Sequence, residues 1–590
     1  MSSDIVIGMA GSGGDGIVSA GESLMTALAH EGYYALMTKS FGPQIRGGES
    51  SCRLRIATER VLNPGGMLDL AIALNWDDFL KFKGELQISN DTVVIWDSAT
   101  GITADQLPVP GIKPAVAMAV PLTELTRSSA GTDKAKNSLV LGLISGWLGV
   151  AREAILAGLH KRFAKKGEAI LASNERAFTA GLTYATEHPI SNDRKLAPAI
   201  IGPAGTRKLL TDGNDMTAAA AIFAGCEFFG GYPITPSTEI MQFLGREIWK
   251  YGGSVLQAED EIAGLGAAVG ASFAGKKAMS ASSGPGVALK TEMLGLASIA
   301  ELPLVLVNVQ RGGPSTGLPT KAEQGDLFQA CFSAHGDVLR PVLAPTCVAD
   351  SFDVTVEAFN IAETYQTPVL VLSDQEIAQR KETVDPIDTK RYEITNRKAP
   401  SADELQSGYL RFRLNDSGVS PISHPGMLGG GYLAAGIEHN EHGDPAASGG
   451  WHIKMNDKRF RKLDPLKSRT DLLRSYGDPK AKVALVAWGS NAGVCQEAVR
   501  MAQAKGLSVK LLVPLLLYPI AENVFARFFE NVSAGLVVEQ SHQGQFYRIL
   551  RMYLDLPRGV VAMCRSGAAP FQPGEVLARL EEHARTLSVS

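Results

Sequence analysis

Between residues 215 and about 374, short apolar runs alternate with amphipathic segments of helix length, and this alternation restricts the fold more than any other feature of the chain. The runs fall at residues 255–256, 277–281, 304–309 and 368–372. A helix between two strands carries the chain back to the edge where it began, so successive strands pair in parallel. A parallel α/β sheet is the expected result. In open sheets of this kind ligands bind beyond the carboxyl ends of the strands. The candidates are therefore the residues that follow each run: Tyr232-Pro233-Ile234-Thr235-Pro236-Ser237-Thr238, Glu259-Asp260-Glu261, Ser282-Ser283-Gly284-Pro285-Gly286 and Arg311-Gly312-Gly313-Pro314-Ser315-Thr316.

In the first of these turns two prolines stiffen the approach. Ser237 stands where it can cap the next helix, whose apolar stripe reads Ile240, Phe243, Leu244, Ile248 and Tyr251. That leaves Thr235 free to face a ligand. Glu261 opens a helix over residues 262–274, where Gly264, Gly266 and Gly270 permit close packing. A carboxylate there also stabilises the helix dipole by ~0.3–1 kcal/mol. Arg311 ends an apolar strand and precedes two glycines, so its planar fork of donors can be offered to a carboxylate; the alternative is a surface salt bridge worth ~1 kcal/mol or less.

A length of 590 residues exceeds what one core serves; at ~100–200 residues per domain it implies three to five units. The composition, 45% hydrophobic and 20% charged, is that of a globular protein, and a net charge of -4 offers no field for a polyanion. Nucleic acid is not an expected partner. The six cysteines are dispersed without a Cys-x-x-Cys pair, so no iron-sulfur cluster is expected in this chain and a reducing compartment is. The first residues lack a basic region and no apolar stretch approaches ~18 residues, so no membrane span is expected and a cytoplasmic location is.

Near the N-terminus, Gly11-Ser12-Gly13-Gly14-Asp15-Gly16 lies between a strand at residues 5–7 and a helix over residues 17–30. The spacing matches a dinucleotide fingerprint, but the next strand ends at Lys39 where an acidic residue would hold the ribose. A tight turn is the preferred reading. A glycine-rich loop, Ser40-Phe41-Gly42-Pro43-Gln44-Ile45-Arg46-Gly47-Gly48, presents Arg46 either as a ligand contact or as a solvated charge, and the alternation at residues 51–56 reads as a strand. Residues 191–213 gather proline and glycine and read as a linker. Residues 386–478 look irregular, and a further α/β unit occupies residues 479–590, with strands at 483–487, 509–513 and 536–538. His439-Asn440-Glu441-His442, with Glu438 and Asp444, lacks the four clearly spaced ligands of structural zinc and reads as a cavity or interface loop, with no metal assigned.

Taken in order, these motifs, together with Gln310-Arg311-Gly312-Gly313-Pro314-Ser315-Thr316-Gly317 and Gly436-Ile437-Glu438-His439-Asn440-Glu441, resemble the 2-oxoacid:ferredoxin oxidoreductases nearly end to end. The resemblance is to the alpha subunit with a gamma domain fused at its N-terminus, of the 2-oxoglutarate:ferredoxin oxidoreductase type. It implies a multidomain α/β fold: a gamma domain at residues 1–190, a linker at 191–213, a thiamine diphosphate-binding domain of pyrimidine type at 214–385, a connecting region at 386–478 and a transketolase C-terminal-like domain at 479–590.

The implied reaction is oxidative decarboxylation of a 2-oxoacid, 2-oxoglutarate before pyruvate or a branched-chain acid, to an acyl-coenzyme A and carbon dioxide, with electrons passed to ferredoxin. An obligate beta subunit would bring the magnesium, the [4Fe-4S] cluster and the diphosphate site, in a dimer of heterodimers. Carried over residue by residue, Glu261 bonds the aminopyrimidine ring; Tyr232, Pro233, Ile234, Ser283 and Gly284 line it; Arg311, Thr235 and Thr320 hold the substrate; and Arg46 or the partner meets a second carboxylate. A noncatalytic nucleotide-binding scaffold is the rival from another class.

Overall fold

The computed structural model describes residues 2–12, 14–42, 48–190, 194–200, 207–567 and 569–587. Arg46 and Gly13 lie outside the described residues, as do parts of the stretch read as a linker. The chain forms two compact units, Met1–Thr211 with Arg380–Asp388, and Asp212–Gln379 with Thr389–Ser590. Together they hold three sheets of mixed α/β architecture, the fold class read from the alternation.

The first unit is built on eight strands in the spatial order Val116–Val120, Val93–Asp97, Leu70–Ala73, Asp4–Gly11, Ser50–Ala57, Tyr34–Phe41, Lys381–Val384 and Leu209–Thr211. The helix Ile17–Glu31 stops at Gly32, whose φ of 89° is the left-handed conformation that glycine adopts without strain. Ser50–Ala57 is buried along nearly its whole length, so the period-two pattern does not mark a solvent face. Its arginines are consumed inside: Arg53 Nε donates to the Pro64 carbonyl at 2.7 Å, and Arg55 Nε donates to Asp4 at 3.0 Å.

Among the described residues, this unit does not have the strand arrangement of a dinucleotide site. Ser50–Ala57 stands antiparallel between Asp4–Gly11 and Tyr34–Phe41, whereas that fingerprint joins two adjacent parallel strands. The Asp15 carboxylate accepts from the Ser12 N–H at 2.9 Å and so occupies the turn before the helix, where it repels a phosphate. Lys381–Val384 reaches this sheet from a stretch the sequence grouped with residues 214–385.

The second unit carries a seven-stranded sheet, ordered Leu516–Tyr518, Val342–Leu343, Pro368–Asp374, Leu304–Gln310, Ala278–Ser282, Phe228–Gly231 and Ser254–Gln257. All its pairings are parallel except that of Leu516–Tyr518 with Val342–Leu343. A five-stranded sheet, Leu473–Gly477, Val509–Pro514, Val483–Ala487, Ala534–Glu539 and Val560–Cys564, completes it. The two sheets share one apolar core that includes Leu265, Leu306, Leu370, Trp488 and Phe546. Gln324 stitches their edges: its Nε2 donates to the Trp488 carbonyl at 2.9 Å and its Oε1 accepts from Asn491 Nδ2 at 2.6 Å.

Residues 386–478 are more regular than their sequence. They include the helices Ala402–Ser407 and Gly449–Arg461. The second of these turns Lys458 inward and Lys462 follows at its end; their ammonium groups meet the buried Glu301 carboxylate at 2.6 and 2.8 Å. Because Lys458 takes an inward position beside Met455, the apolar period that announces a helix is interrupted.

None of the six cysteines is in a disulfide; Cys564 is exposed and the others are buried. Among the described residues, no helix is long and apolar enough to cross a membrane.

Candidate functional site

The strands Leu304–Gln310, Ala278–Ser282, Phe228–Gly231 and Ser254–Gln257 are consecutive neighbours in the parallel sheet, so their carboxyl ends share one edge. The four sequence-predicted turns follow those four strands. One edge of one sheet therefore presents Arg311, Ser283 and Gly284, the Tyr232 turn, and Glu261.

The Tyr232 turn is held from two sides. Asn214 Nδ2 donates to the Pro236 carbonyl at 2.8 Å, and Arg311 Nη1 donates to the Thr235 carbonyl at 2.6 Å. Ser237 is not the side-chain cap its position suggested; its hydroxyl donates back to the Ile234 carbonyl at 3.1 Å, tightening the turn itself. Tyr232 and Thr235 remain exposed, while Pro233 and Ile234 are half-buried.

Asp260 caps the helix Glu261–Phe273, accepting from the Ala263 N–H at 2.8 Å, which frees the Glu261 carboxylate from capping. Of the helix's glycines, Gly264 is the close approach: a Cβ there would lie 2.8 Å from Gly231 Cα, whereas one at Gly270 would meet nothing within 4 Å. The half-buried Glu261 folds over Gly286, where any Cβ would run into Ser282 Oγ and come within 2.8 Å of Glu261 Cγ. The hydroxyls of Ser282 and Ser283 beside it are buried and unpartnered.

Arg311 is only 8% exposed, its Nε has no partner, and burial lowers its affinity for its proton, partly offset by the nearby Asp326. Thr320 sits exposed in the following loop, which closes where Gly312 N–H donates to the Lys321 carbonyl at 3.0 Å. Sequence reasoning passed over Asp326. Its backbone N–H donates to Gln310 Oε1 at 3.0 Å, its carboxylate accepts from Asn308 Nδ2 at 3.1 Å, and a Cβ on Gly284 would stand 2.7 Å from it. Burial pushes Asp326 up to about 6. The signal that could have found it is Asn308, an amide in the middle of the apolar run Leu-Val-Leu-Val-Asn-Val-Gln.

The loop containing His439 bonds within itself and to the helix Gly449–Arg461. Glu438 pairs with Arg459 and with His452 Nδ1 at 2.7 Å, and Asn440 Oδ1 accepts from the His442 and Asp444 N–H groups at 2.9 and 3.1 Å. Among the described residues, no group of three or more His, Cys, Asp or Glu side chains is placed to hold a metal ion.

A family model described as pyruvate flavodoxin/ferredoxin oxidoreductase, thiamine diP-bdg, matches residues 219–456, and one described as pyruvate ferredoxin/flavodoxin oxidoreductase matches residues 6–184. The 2-oxoglutarate oxidoreductase subunit KorA of Mycobacterium tuberculosis is 32% identical over 579 residues, covering 93% of this chain and 87% of that protein. The chain belongs to the 2-oxoacid:ferredoxin oxidoreductase family. Among other members, the 2-oxoglutarate synthase subunit KorA of Methanocaldococcus jannaschii is 36% identical over 62% of this chain and 96% of its own length. The structure of the Magnetococcus marinus 2-oxoglutarate:ferredoxin oxidoreductase, with 2-oxoglutarate, coenzyme A and succinyl-CoA bound, superposes with a TM-score of 0.92 at 34% identity, covering 99% of this chain and all of that one.

The residues on the sheet edge fit the ring end of the thiamine diphosphate that this oxidoreductase family implies. A carboxylate without a capping duty, two unpartnered buried hydroxyls and a backbone kept bare at Gly286 suit a flat, nitrogen-rich heterocycle.

Proposed function

We propose that this chain is the alpha subunit of a 2-oxoglutarate:ferredoxin oxidoreductase. It would act with a beta subunit to convert 2-oxoglutarate and coenzyme A to succinyl-CoA and carbon dioxide, with two electrons and a proton released and the electrons passed to ferredoxin. The supporting observation is the end-to-end likeness to the Magnetococcus marinus enzyme named with 2-oxoglutarate, coenzyme A and succinyl-CoA bound. Thiamine diphosphate, when bound, supplies the nucleophilic carbon and the electron sink that loss of carbon dioxide from a 2-oxoacid requires.

The chain's own residues orient and exchange protons. Glu261 meets the aminopyrimidine ring, with Ser283, Gly284, Tyr232, Pro233 and Ile234 around it. Arg311 offers its remaining donors to the substrate carboxylate, Thr235 adds a hydroxyl, and Thr320 a further one. Because Arg311 also holds the Thr235 carbonyl, a single guanidinium fixes both the turn and the acid. The distal carboxylate of 2-oxoglutarate falls to Arg46 or to the beta subunit, which also brings magnesium and the [4Fe-4S] cluster. A reducing cytoplasm accords with cysteines that form no disulfide, and the assembly would be a dimer of heterodimers.

The test is copurification with the beta subunit and turnover of 2-oxoglutarate against pyruvate with ferredoxin or a viologen acceptor. Preference for 2-oxoglutarate supports the reading. Preference for pyruvate, the acid in both family descriptions, would move the chain to the sister activity.

A further inference from the structure

Arg311 is followed by Gly312 and Gly313, so the guanidinium read as meeting the substrate hangs from backbone with the greatest conformational freedom a residue can have. Keeping that backbone in one place requires restraints from outside the two glycines. The returning limb of the same loop supplies them: Gly312 N–H donates to the Lys321 carbonyl at 3.0 Å, and Gly313 N–H donates to the Glu323 carboxylate.

That limb is in turn fastened to the five-stranded sheet. Val483–Ala487, Ala534–Glu539 and Val560–Cys564 are consecutive parallel neighbours, so their carboxyl ends share one edge, where a sheet of this kind ordinarily receives a ligand. Here residues 322–325 of the arginine loop lie on it. Gln540 Nε2 donates to the Ala322 carbonyl at 3.2 Å, Gln324 N–H donates to the Gln540 carbonyl at 2.7 Å, and Gln545 Nε2 donates to the Gly325 carbonyl at 2.7 Å. Beyond the third strand, Gly567 N–H donates to the Glu323 carboxylate as well. The approach is tight: a Cβ on Gly567 would stand 2.7 Å from the Ala322 carbonyl oxygen and 2.9 Å from Glu323 Oε2, and one on Gly312 would stand 3.2 Å from that same carboxylate oxygen. One half-buried carboxylate therefore spans the distance from the C-terminal sheet to the glycines behind Arg311.

We propose that Glu323 is a positioning residue for the substrate: by tying Gly313 to Gly567 it fixes the backbone behind Arg311 to the edge of the five-stranded sheet, and so sets where the guanidinium meets the carboxylate of the 2-oxoacid. The inference rests on the reading of Arg311 given above. It gives the C-terminal sheet a part in substrate binding through the loop that covers its edge, and it explains an acidic side chain beside an arginine that binds an anion, since the charge of that side chain is committed to two N–H groups.

The experiment measures KM and kcat for 2-oxoglutarate and for pyruvate, thiamine diphosphate affinity and thermal unfolding. It uses the complex with the beta subunit, as wild type, Glu323→Ala, Glu323→Gln, Gly567→Ala, Arg311→Ala and the double variant of Glu323→Ala with Arg311→Ala. Glu323→Ala should raise KM for the acid turned over about tenfold, with kcat and cofactor affinity changed by less than about threefold, because a displaced guanidinium loosens the grip on the carboxylate before and during loss of carbon dioxide alike. Glu323→Gln, which keeps one acceptor, should fall between wild type and Glu323→Ala, and Gly567→Ala, whose methyl group pushes the loop from the sheet side, should raise KM too. In the Arg311→Ala background the Glu323 substitution should change kcat/KM by less than about twofold. A KM within twofold of wild type in Glu323→Ala, or an equal loss of kcat/KM in both backgrounds, overturns the proposal. So does a loss confined to kcat and unfolding temperature, which is the signature of a purely structural carboxylate. Unaltered kcat/KM in Arg311→Ala overturns instead the reading of Arg311 on which the proposal stands.

Discussion

At the scale of single residues, the site depends on charges taken out of water and only partly compensated. Arg311 spends one donor on the Thr235 carbonyl and keeps an unpartnered Nε beneath the rim. Its replacement by alanine should lower decarboxylation at least ~100-fold while cofactor affinity changes by less than ~3-fold, in titration and single-turnover measurements. Asp326 makes a separate prediction. Its folded-state value of about 6 lies above that of an exposed aspartate, so its ionisation opposes folding above pH 6, and the penalty disappears as pH falls toward 4. Asp326→Asn should therefore raise stability at pH 7.5 by on the order of 1–2 kcal/mol, a gain that falls to about half by pH 5 and to nearly nothing near pH 4 in thermal unfolding. Glu261, Thr235 and Arg311 were legible as residues because each follows an apolar run. Asp326 was not, since it looks like an ordinary solvated charge until the fold encloses it.

At the scale of elements, close approach separates glycines that look alike in the sequence. The helix Glu261–Phe273 touches the strand Phe228–Gly231 through Gly264, with Gly231 Cα 2.8 Å from where a Cβ would stand. Gly264→Ala should destabilise the protein by ~1–3 kcal/mol through forced separation. Gly270→Ala, on the open face of the same helix, should stabilise it by ~0.5–1 kcal/mol by reducing the entropy of the unfolded chain. Equilibrium unfolding of the two variants checks both signs. The sequence named both glycines as packing sites, and only the neighbouring strand distinguishes them. The Ser237 cap failed for a related reason: its hydroxyl found the Ile234 carbonyl inside its own turn before the N–H groups of the next helix.

At the scale of the molecule, the second unit is tied together by ions as well as by its core. Glu301, next to the strand Leu304–Gln310, holds Lys458 of the helix Gly449–Arg461 and Lys462, the residue that ends it. Burial alone would raise the Glu301 carboxyl, but the two ammonium groups and Arg411 outweigh it and hold it well below the usual carboxylate range. Its stabilising effect is thus complete above the unfolded value of about 4.3 and fades as the pH drops below that. Glu301→Gln, which strands two buried ammonium groups, should cost ~3–5 kcal/mol at pH 7, with the difference from wild type narrowing in acid. The sequence by itself determined the alternation of strands and helices, the turns that would carry a site and the family they belong to, because side-chain period and turn chemistry are local properties. Only the tertiary structure decided that Lys381–Val384 joins the first sheet, that residues 449–461 form a helix, and that Asp326 lies against Gly284. Those outcomes depend on which distant groups exclude water from one another, and nothing within a few residues of each encodes that.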